Sequence, residues 1–307
     1  MAAQGDTWSV FQEPAWQRTW WECYGRGELV IASVHADNRP VLLAPLFIDG
    51  GMAFLVGSGG SDYLDFIGDV GIPGALESIV AALMRHAPGL LGVRLYHVPQ
   101  SSRTARRLER VAEWLDLALV DEGSLEAPAL DLGPGGKAGL QAARKKSLVR
   151  HENALRRSGD MQIRHYRRAA DVLPRLDAFF DQHVRRWRET GYPSLFVDRV
   201  HRDFYRRLVR AADQEEWLRF SVVEWQGEAI ACHFGFSHRG RFLWYKPTFE
   251  SELSARSPGE VLLRNLLLAA VEEGADVFDF GLGNEIFKRR FADRIPRVTT
   301  WGLYPNH

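Results

Sequence analysis

Three short stretches carry the residue types that chemistry needs. The first is Ser257-Pro258-Gly259-Glu260. Ser257 suits a helix N-cap, Pro258 the first helical position, and Glu260 the third, where it completes a capping box. Gly259 has no side chain, so another molecule can approach the backbone closely there. Free N–H groups and the dipole at such an end can hold a pyrophosphate. The same residues equally suit a plain helix start in which Glu260 satisfies those donors itself. The second stretch runs from Asp276 to Glu285, an apolar strand ending in an acid and followed by Gly281 and Gly283. Asp279 at that sheet edge can deprotonate or position an amine, or it can hydrogen-bond into the following turn. The third is Cys232-His233. Adjacent strand residues point to opposite faces, so these two cannot act as nucleophile and base. His233 is left either to face a cleft or to sit hydrogen-bonded in the core.

His183-Val184-Arg185-Arg186-Trp187 ends a predicted helix, where basic residues complement the dipole. A basic run lies between Lys137 and Arg168, with 10 Lys and Arg against Glu152 and Asp160. It suits either phosphates of a cofactor or RNA, or a solvated helix face. No G-x-S-x-G elbow, G-x-x-x-x-G-K-[ST] loop or H-E-x-x-H occurs, so the commonest hydrolase, NTPase and zincin chemistries lack their motifs. Cys23 and Cys232 have no metal-ligand spacing, and no metal site is expected.

The elements that must position these residues follow from composition and pattern. With 307 residues, 46% apolar and 25% charged, the chain has the composition of a folded globular protein. The most apolar stretch, 261–271, is too short to span a bilayer, and residues 1–12 carry no signal-peptide pattern. Neither membrane insertion nor export is expected, which makes a reduced cytoplasmic setting the default. The 39 basic and 39 acidic residues are unevenly spread: up to Leu132 there are 9 basic and 17 acidic, and beyond it 30 and 22. That split predicts two domains, 1–132 and 133–307. Each half shows one order: antiparallel strands, a loop, a helix, a strand, a helix, a strand. In the first half the strands at 28–35, 40–48 and 52–56 run into the glycine loop 57–61. In the second, a helix over 138–157, with Leu140, Leu148 and Leu155 as its stripe, precedes helices over 173–188 and 200–212. A three-strand meander over 218–245 follows, then a helix over 258–273 and strands at 276–280 and 298–304. The fold class predicted is α+β, two mixed sheets flanked by helices.

In this order, His183-x-x-Arg186-Trp187, Ala229-Ile230-Ala231, Tyr245-x-Pro247, Pro258-Gly259 and Asp279-Phe280-x-x-Gly283-x-Glu285-x-x-Lys288 resemble the GNAT superfamily. The match is to its cellulose-biosynthesis-type acetyltransferase branch, and Ser61-Asp62-Tyr63 extends it weakly into the first half. The resemblance implies a tandem GNAT fold related to the Fem-type transferases, which use aminoacyl-tRNA. It implies N-acyl transfer from acyl-coenzyme A, acetyl-coenzyme A first, to an amine of a small-molecule or saccharide acceptor, by direct attack. Asp279, His233 and Tyr245 become the catalytic residues; His183, Arg186, Trp187, Glu285 and Lys288 bind substrate; Ser257, Pro258 and Gly259 hold the cofactor pyrophosphate. In two places the chain departs from the pattern. The glycine-rich pyrophosphate signature is reduced to one Pro-Gly, and Phe287 stands where the branch usually has tyrosine, which moves any proton-donor role to Tyr245. The alternatives to acyl-coenzyme A chemistry are aminoacyl transfer from tRNA and a non-catalytic binding module.

Overall fold

The computed structural model describes residues 7–188, 191 and 193–306. In chain order its elements begin with α1 (Pro14–Tyr24), β1 (Glu28–Ala36), β2 (Arg39–Asp49), β3 (Met52–Leu55), β4 (Ile67–Gly68), α2 (Ala75–His86), β5 (Gly92–Pro99), α3 (Thr104–Leu115) and β6 (Leu117–Glu126). Then come β7 (Ala129–Asp131), α4 (Lys137–Ala143), α5 (Lys146–Ser158), β8 (Met161–Tyr166), α6 (Ala169–Val172), α7 (Leu176–Trp187) and α8 (Arg199–Ala212). The chain ends with β9 (Leu218–Trp225), β10 (Glu228–His238), β11 (Arg241–Phe249), α9 (Pro258–Glu272), β12 (Val277–Asp279), α10 (Ile286–Phe291) and β13 (Arg297–Pro305).

Two compact units result, one of Met1–Ala127 with Pro296–His307 and one of Pro128–Ile295. The sheet of the first runs β1-β2-β3-β5-β13-β6, with β4 paired to β2; that of the second runs β7-β12-β11-β10-β9-β8. Both are mixed sheets with helices around them, the α+β architecture expected from the pattern. Each contains one parallel pair, β3 with β5 and β11 with β12, joined through the α2 or α9 crossover.

The boundaries differ from those expected. The division falls after Ala127 instead of Leu132, and β13 pairs with β5 and β6 of the first unit instead of joining the second. Conversely β7, expected to close the first unit, pairs with β12. The reason is pairing across sequence distance, which local pattern does not contain. The single helix expected over 138–157 is two, because Arg144 N–H turns back on three carbonyls and Lys145 is extended at φ −54°, ψ 133°. That break lets Leu148 and Leu155 of α5 bury completely beside Leu262 and Leu266 of α9. The second unit buries that cluster with Phe242, Trp244 and Phe278 of the sheet. An aromatic cluster of Phe179, Phe180, Phe196, Tyr205, Phe220 and Phe234 packs α7 and α8 against β9 and β10. Such aromatic burial is the dominant stabilising term in a core of this kind.

Candidate active site

The sheet of the second unit opens beside its parallel pair. β12 is hydrogen-bonded to β11 over three positions only, Arg241 with Val277, Phe242 with Phe278 and Leu243 with Asp279. From Trp244 onward β11 keeps its partner β10 and has none on the other side among the described residues. Opposite this point β10 and β11 slip register, so that Gly235 faces both Trp244 and Tyr245, a β-bulge. His233 fills the bulge. Its Nε2 lies 3.2 Å from Leu243 O and 3.3 Å from Tyr245 N. A neutral imidazole donates to the first in one tautomer and accepts from the second in the other. The ring is fully buried, and its Nδ1 has no hydrogen-bond partner among the described residues. Burial pushes its pKa down to about 3, with the Leu243 bond opposing. A Cβ on Gly235 would lie 2.2 Å from the imidazole and 2.4 Å from Leu243 O, so only glycine fits there.

Asp279 ends β12 with its side chain fully buried. Oδ1 accepts from Gly281 N–H at 2.8 Å, and Oδ2 pairs with Arg241 at 2.9 Å. The acid is thus bonded into the following turn and tied to the start of β11. Asp279 is in register with Leu243, and His233 lies between Leu243 O and Tyr245 N, where the strands part. Both Asp279 and His233 are enclosed.

α9 begins at Pro258 as expected, with Ser257 at its N-cap, but the capping box does not form. Ser257 sits in the left-handed region (φ 54°, ψ 49°), and its side chain makes no cap bond. Glu260 turns away from the helix end: its Oε2 lies 2.7 Å from His151 Nδ1 of α5, and its Oε1 accepts from Arg290 of α10 at 3.0 Å. Arg290 in turn bonds Ser147. Glu260 and Val261 N–H donate to Ser257 O at 3.0 and 3.3 Å and Pro258 has no N–H, so Gly259 N–H is the donor of this first turn left without an acceptor among the described residues, at the end of the helix that favours an anion. Gly259 keeps the approach open, since a Cβ there would reach 3.1 Å from the Phe249 ring. The guanidinium of Arg186 lies 4.5 Å from the centre of that same ring. Arg186, Phe249 and Gly259 thus stand in a row.

Residues 142–289 match the family model described as an acetyltransferase (GNAT) domain. Those residues form a GNAT domain. No curated protein sequence matches the chain. Among solved structures, FemX superposes with a TM-score of 0.69 at 10% identity, over 99% of this chain and 94% of its own. The C-terminal domain of a putative lysylphosphatidylglycerol synthetase from Agrobacterium fabrum gives 0.58 at 12%, covering 97% and 89%. L-PGS from Bacillus licheniformis gives 0.57 at 13%, covering 98% and 94%. These likenesses extend over both units and are of fold. Residues 142–289 are thus an acyltransferase domain of the GNAT type.

Within the GNAT domain the other expected site residues fall into two groups. On α7, His183 is buried: Ser194 Oγ accepts from Phe196 N–H at 3.1 Å and shares a 2.8 Å hydrogen bond with His183 Nδ1. Its ring stacks on Trp187 at 5.6 Å. Burial first, then the nearby Lys246 charge, pushes its pKa down to about 3. On α10, Lys288 is buried, donates to Leu282 O of the preceding loop at 2.6 Å and pairs with half-exposed Glu285, the N-cap of that helix, at 2.9 Å. A Cβ on Gly283 would collide with Glu285 Oε2 at 2.2 Å, so this glycine permits the ion pair. Four participants escaped sequence reasoning: Gly235, Arg241, His151 and Arg290. Only Gly235 carried a signal, a glycine inside a strand pattern, which marks a bulge or close approach. Among the described residues, no cluster of His, Cys, Asp and Glu suits a metal, and no helix is long and apolar enough to cross a membrane.

Proposed function

We propose that the GNAT domain transfers an acyl group from acyl-coenzyme A, acetyl-coenzyme A first, to an amine of a small-molecule or saccharide acceptor. The parting of β11 from β12 beside an uncapped helix start carries this reading. The pantetheine arm runs in the opening, along the unpaired edge of β11. The pyrophosphate sits at Ser257, Pro258 and Gly259, on the Gly259 N–H and at the positive end of the α9 dipole. The amine nitrogen attacks the thioester carbonyl directly. Main-chain N–H groups of β11 beyond Leu243 stabilise the oxyanion, the C–S bond breaks, the sulfur leaves as a thiolate that takes up a proton, and the acylated nitrogen releases the amine's proton to water. Tyr245, two residues past the last β11 residue paired with β12, is the group assigned to that proton. His233 and Asp279, enclosed as they are, hold the geometry of the opening through Leu243, Tyr245 and Arg241. Arg186 and Glu285 are the acceptor-binding side chains, with His183, Trp187 and Lys288 supporting them.

Calorimetric titration with acetyl-coenzyme A tests the donor. Gly259→Val crowds the helix start and is expected to weaken binding roughly tenfold or more, about 1.4 kcal/mol. Equal affinity in parent and variant would remove Gly259 from the donor site.

A second donor is favoured by one observation. Arg144, Lys146 and Arg150 on or beside α5, and Arg289 on α10, are exposed; α5 and α10 are the helices that hold Glu260 at the same helix start. The likeness to FemX and the Fem-type resemblance agree with aminoacyl-tRNA in that place. Binding of charged tRNA that falls steeply with salt, and is lost when Arg144, Lys145, Lys146 and Arg150 are all replaced by Gln, would substitute it for coenzyme A.

A further inference from the structure

The bulge that His233 fills also turns two consecutive side chains to one face of the sheet. Leu243 pairs with Phe236 and Lys246 with Phe234, so both belong to the face on which Phe234 packs against Phe179 of α7. Tyr245 takes the same face: its ring lies 5.3 Å from Phe236 and 6.4 Å from Tyr205 of α8. The Lys246 ammonium stands 4.1 Å from the centre of that ring. Lys246 is thus held on the α7 face of β11, past the last pair with β12 and next to Tyr245.

A second cation comes from α7. Arg186 stacks on Phe249, and among the described residues it pairs with no acid. The acids around it are engaged elsewhere. Glu250 accepts from Arg185 at 2.7 Å and Gln182 at 3.0 Å, Asp181 pairs with Arg202 at 2.9 Å, and Arg206 takes Asp177 and Asp203. Asp198 caps α8 through Val200 N–H at 3.0 Å. Both cations reach His183, whose pKa is lowered by burial first, then by Lys246, and further by Arg186. Lys246 also acts on His201 of α8, where burial leads and Asp198 opposes. Thr248, two residues beyond Lys246 and so on the same face, is buried, and its hydroxyl has no hydrogen-bond partner among the described residues. Two half-buried cations and an unanswered hydroxyl therefore lie along the free part of β11.

We propose, resting on the acyl-transfer reading above, that the acceptor is an anionic amine whose carboxylate or phosphate is held by Lys246 and Arg186 on the α7 face of the opening. Either group is acceptor-only when ionised and takes charge-assisted hydrogen bonds from an ammonium and a guanidinium. Half-burial keeps solvent from screening those bonds as it would at an open surface. Held beside Tyr245, the anion brings its amine to the stretch of β11 whose N–H groups meet the thioester carbonyl. A neutral amine lacks that hold.

Titration of the full chain with acetate and with inorganic phosphate, at constant ionic strength set by chloride and without acyl donor, tests the anion site directly. The His183 imidazole signals in NMR, assigned with His183→Asn, are expected to shift saturably with at least one of the two, and the better ligand tells carboxylate from phosphate. In Lys246→Met that binding is expected to weaken roughly tenfold or more. Arg186→Gln serves as the variant if Lys246→Met lowers the thermal midpoint. Turnover is then compared for ethanolamine, β-alanine and O-phosphoethanolamine, which carry an amine with a hydroxyl, a carboxylate or a phosphate. One anionic member is expected to exceed ethanolamine in kcat/KM by roughly tenfold, and to lose that advantage in the variant. If none of the three reacts, the anion titration alone decides. The absence of a saturable shift, equal anion affinity in parent and variant, or ethanolamine equal to the anionic amines would each overturn the proposal. Failure of acetyl-coenzyme A to bind the parent would instead remove the donor reading, and the anion titration is read independently of it.

Discussion

His183 and His233 share one physical state: both are buried, and both have pKa values pushed down to about 3. The folded domain keeps these rings neutral, whereas the unfolded chain protonates them near pH 6.5. The unfolded state therefore binds more protons between about pH 6.5 and 3, and stability falls as pH drops through that window. The loss per histidine at about pH 5 is on the order of 2 kcal/mol relative to neutral pH. Urea unfolding at about pH 7 and about pH 5 checks this: the acid-induced drop is expected to shrink in His183→Asn and again in His233→Gln. Cys232, beside His233 but on the other face of β10, has its thiol pushed up to about 12 by burial and is inert as a nucleophile. The alternation of strand side chains made that separation legible in sequence. Enclosure of His233 was not legible, because it depends on Phe242 and Trp244 of a neighbouring strand stacking near its ring.

The β10–β11 bulge is the element that sets the opening, and Gly235 is its least replaceable residue. Gly235→Ala puts a methyl group 2.2 Å from His233 Cε1 and 2.4 Å from a backbone carbonyl that cannot rotate away. Overpacking of that kind typically costs about 1–3 kcal/mol. Chemical denaturation is expected to show that loss. Acetyl-coenzyme A binding is expected to fall with it, because Leu243 and Tyr245 move together with the imidazole. Most elements here were legible: the β9–β11 meander, α9 with Pro258 at its first position, and β12 all lie where apolar pattern and turn residues put them. The α4–α5 break and β8 were not. Lys145 carries no turn signal, and β8 is half polar because it lies at a sheet end.

At the scale of the whole molecule, the C-terminal strand belongs to the first unit. β13 lies between β5 and β6 and is hydrogen-bonded to both. Ending the chain at Ile295 removes a central strand and separates β6 from the rest of that sheet. Hydrogen exchange is expected to show lost protection over β5 and β6, while β9–β12 of the second unit stay protected. Loss of protection across both units alike would mean that they fold as one cooperative body.

What the sequence by itself determined is what depends on near neighbours. The α+β class, the repeated element order, the start of α9 and the antiparallel meander all follow from periodicity and turn chemistry within a short stretch of chain. The GNAT resemblance rests on the same order of motifs. Tertiary structure decided whatever depends on a partner far along the chain. Glu260 fits a capping box, yet it faces His151 and Arg290, because α10 offers it the Arg290 charge and α5 a ring nitrogen at 2.7 Å, together more than a backbone N–H can match. The exchange of β7 and β13 between units, and the open edge at β1, are matters of which strand finds which partner. Hydrogen-bond pairing is blind to sequence distance, so no local pattern contains it.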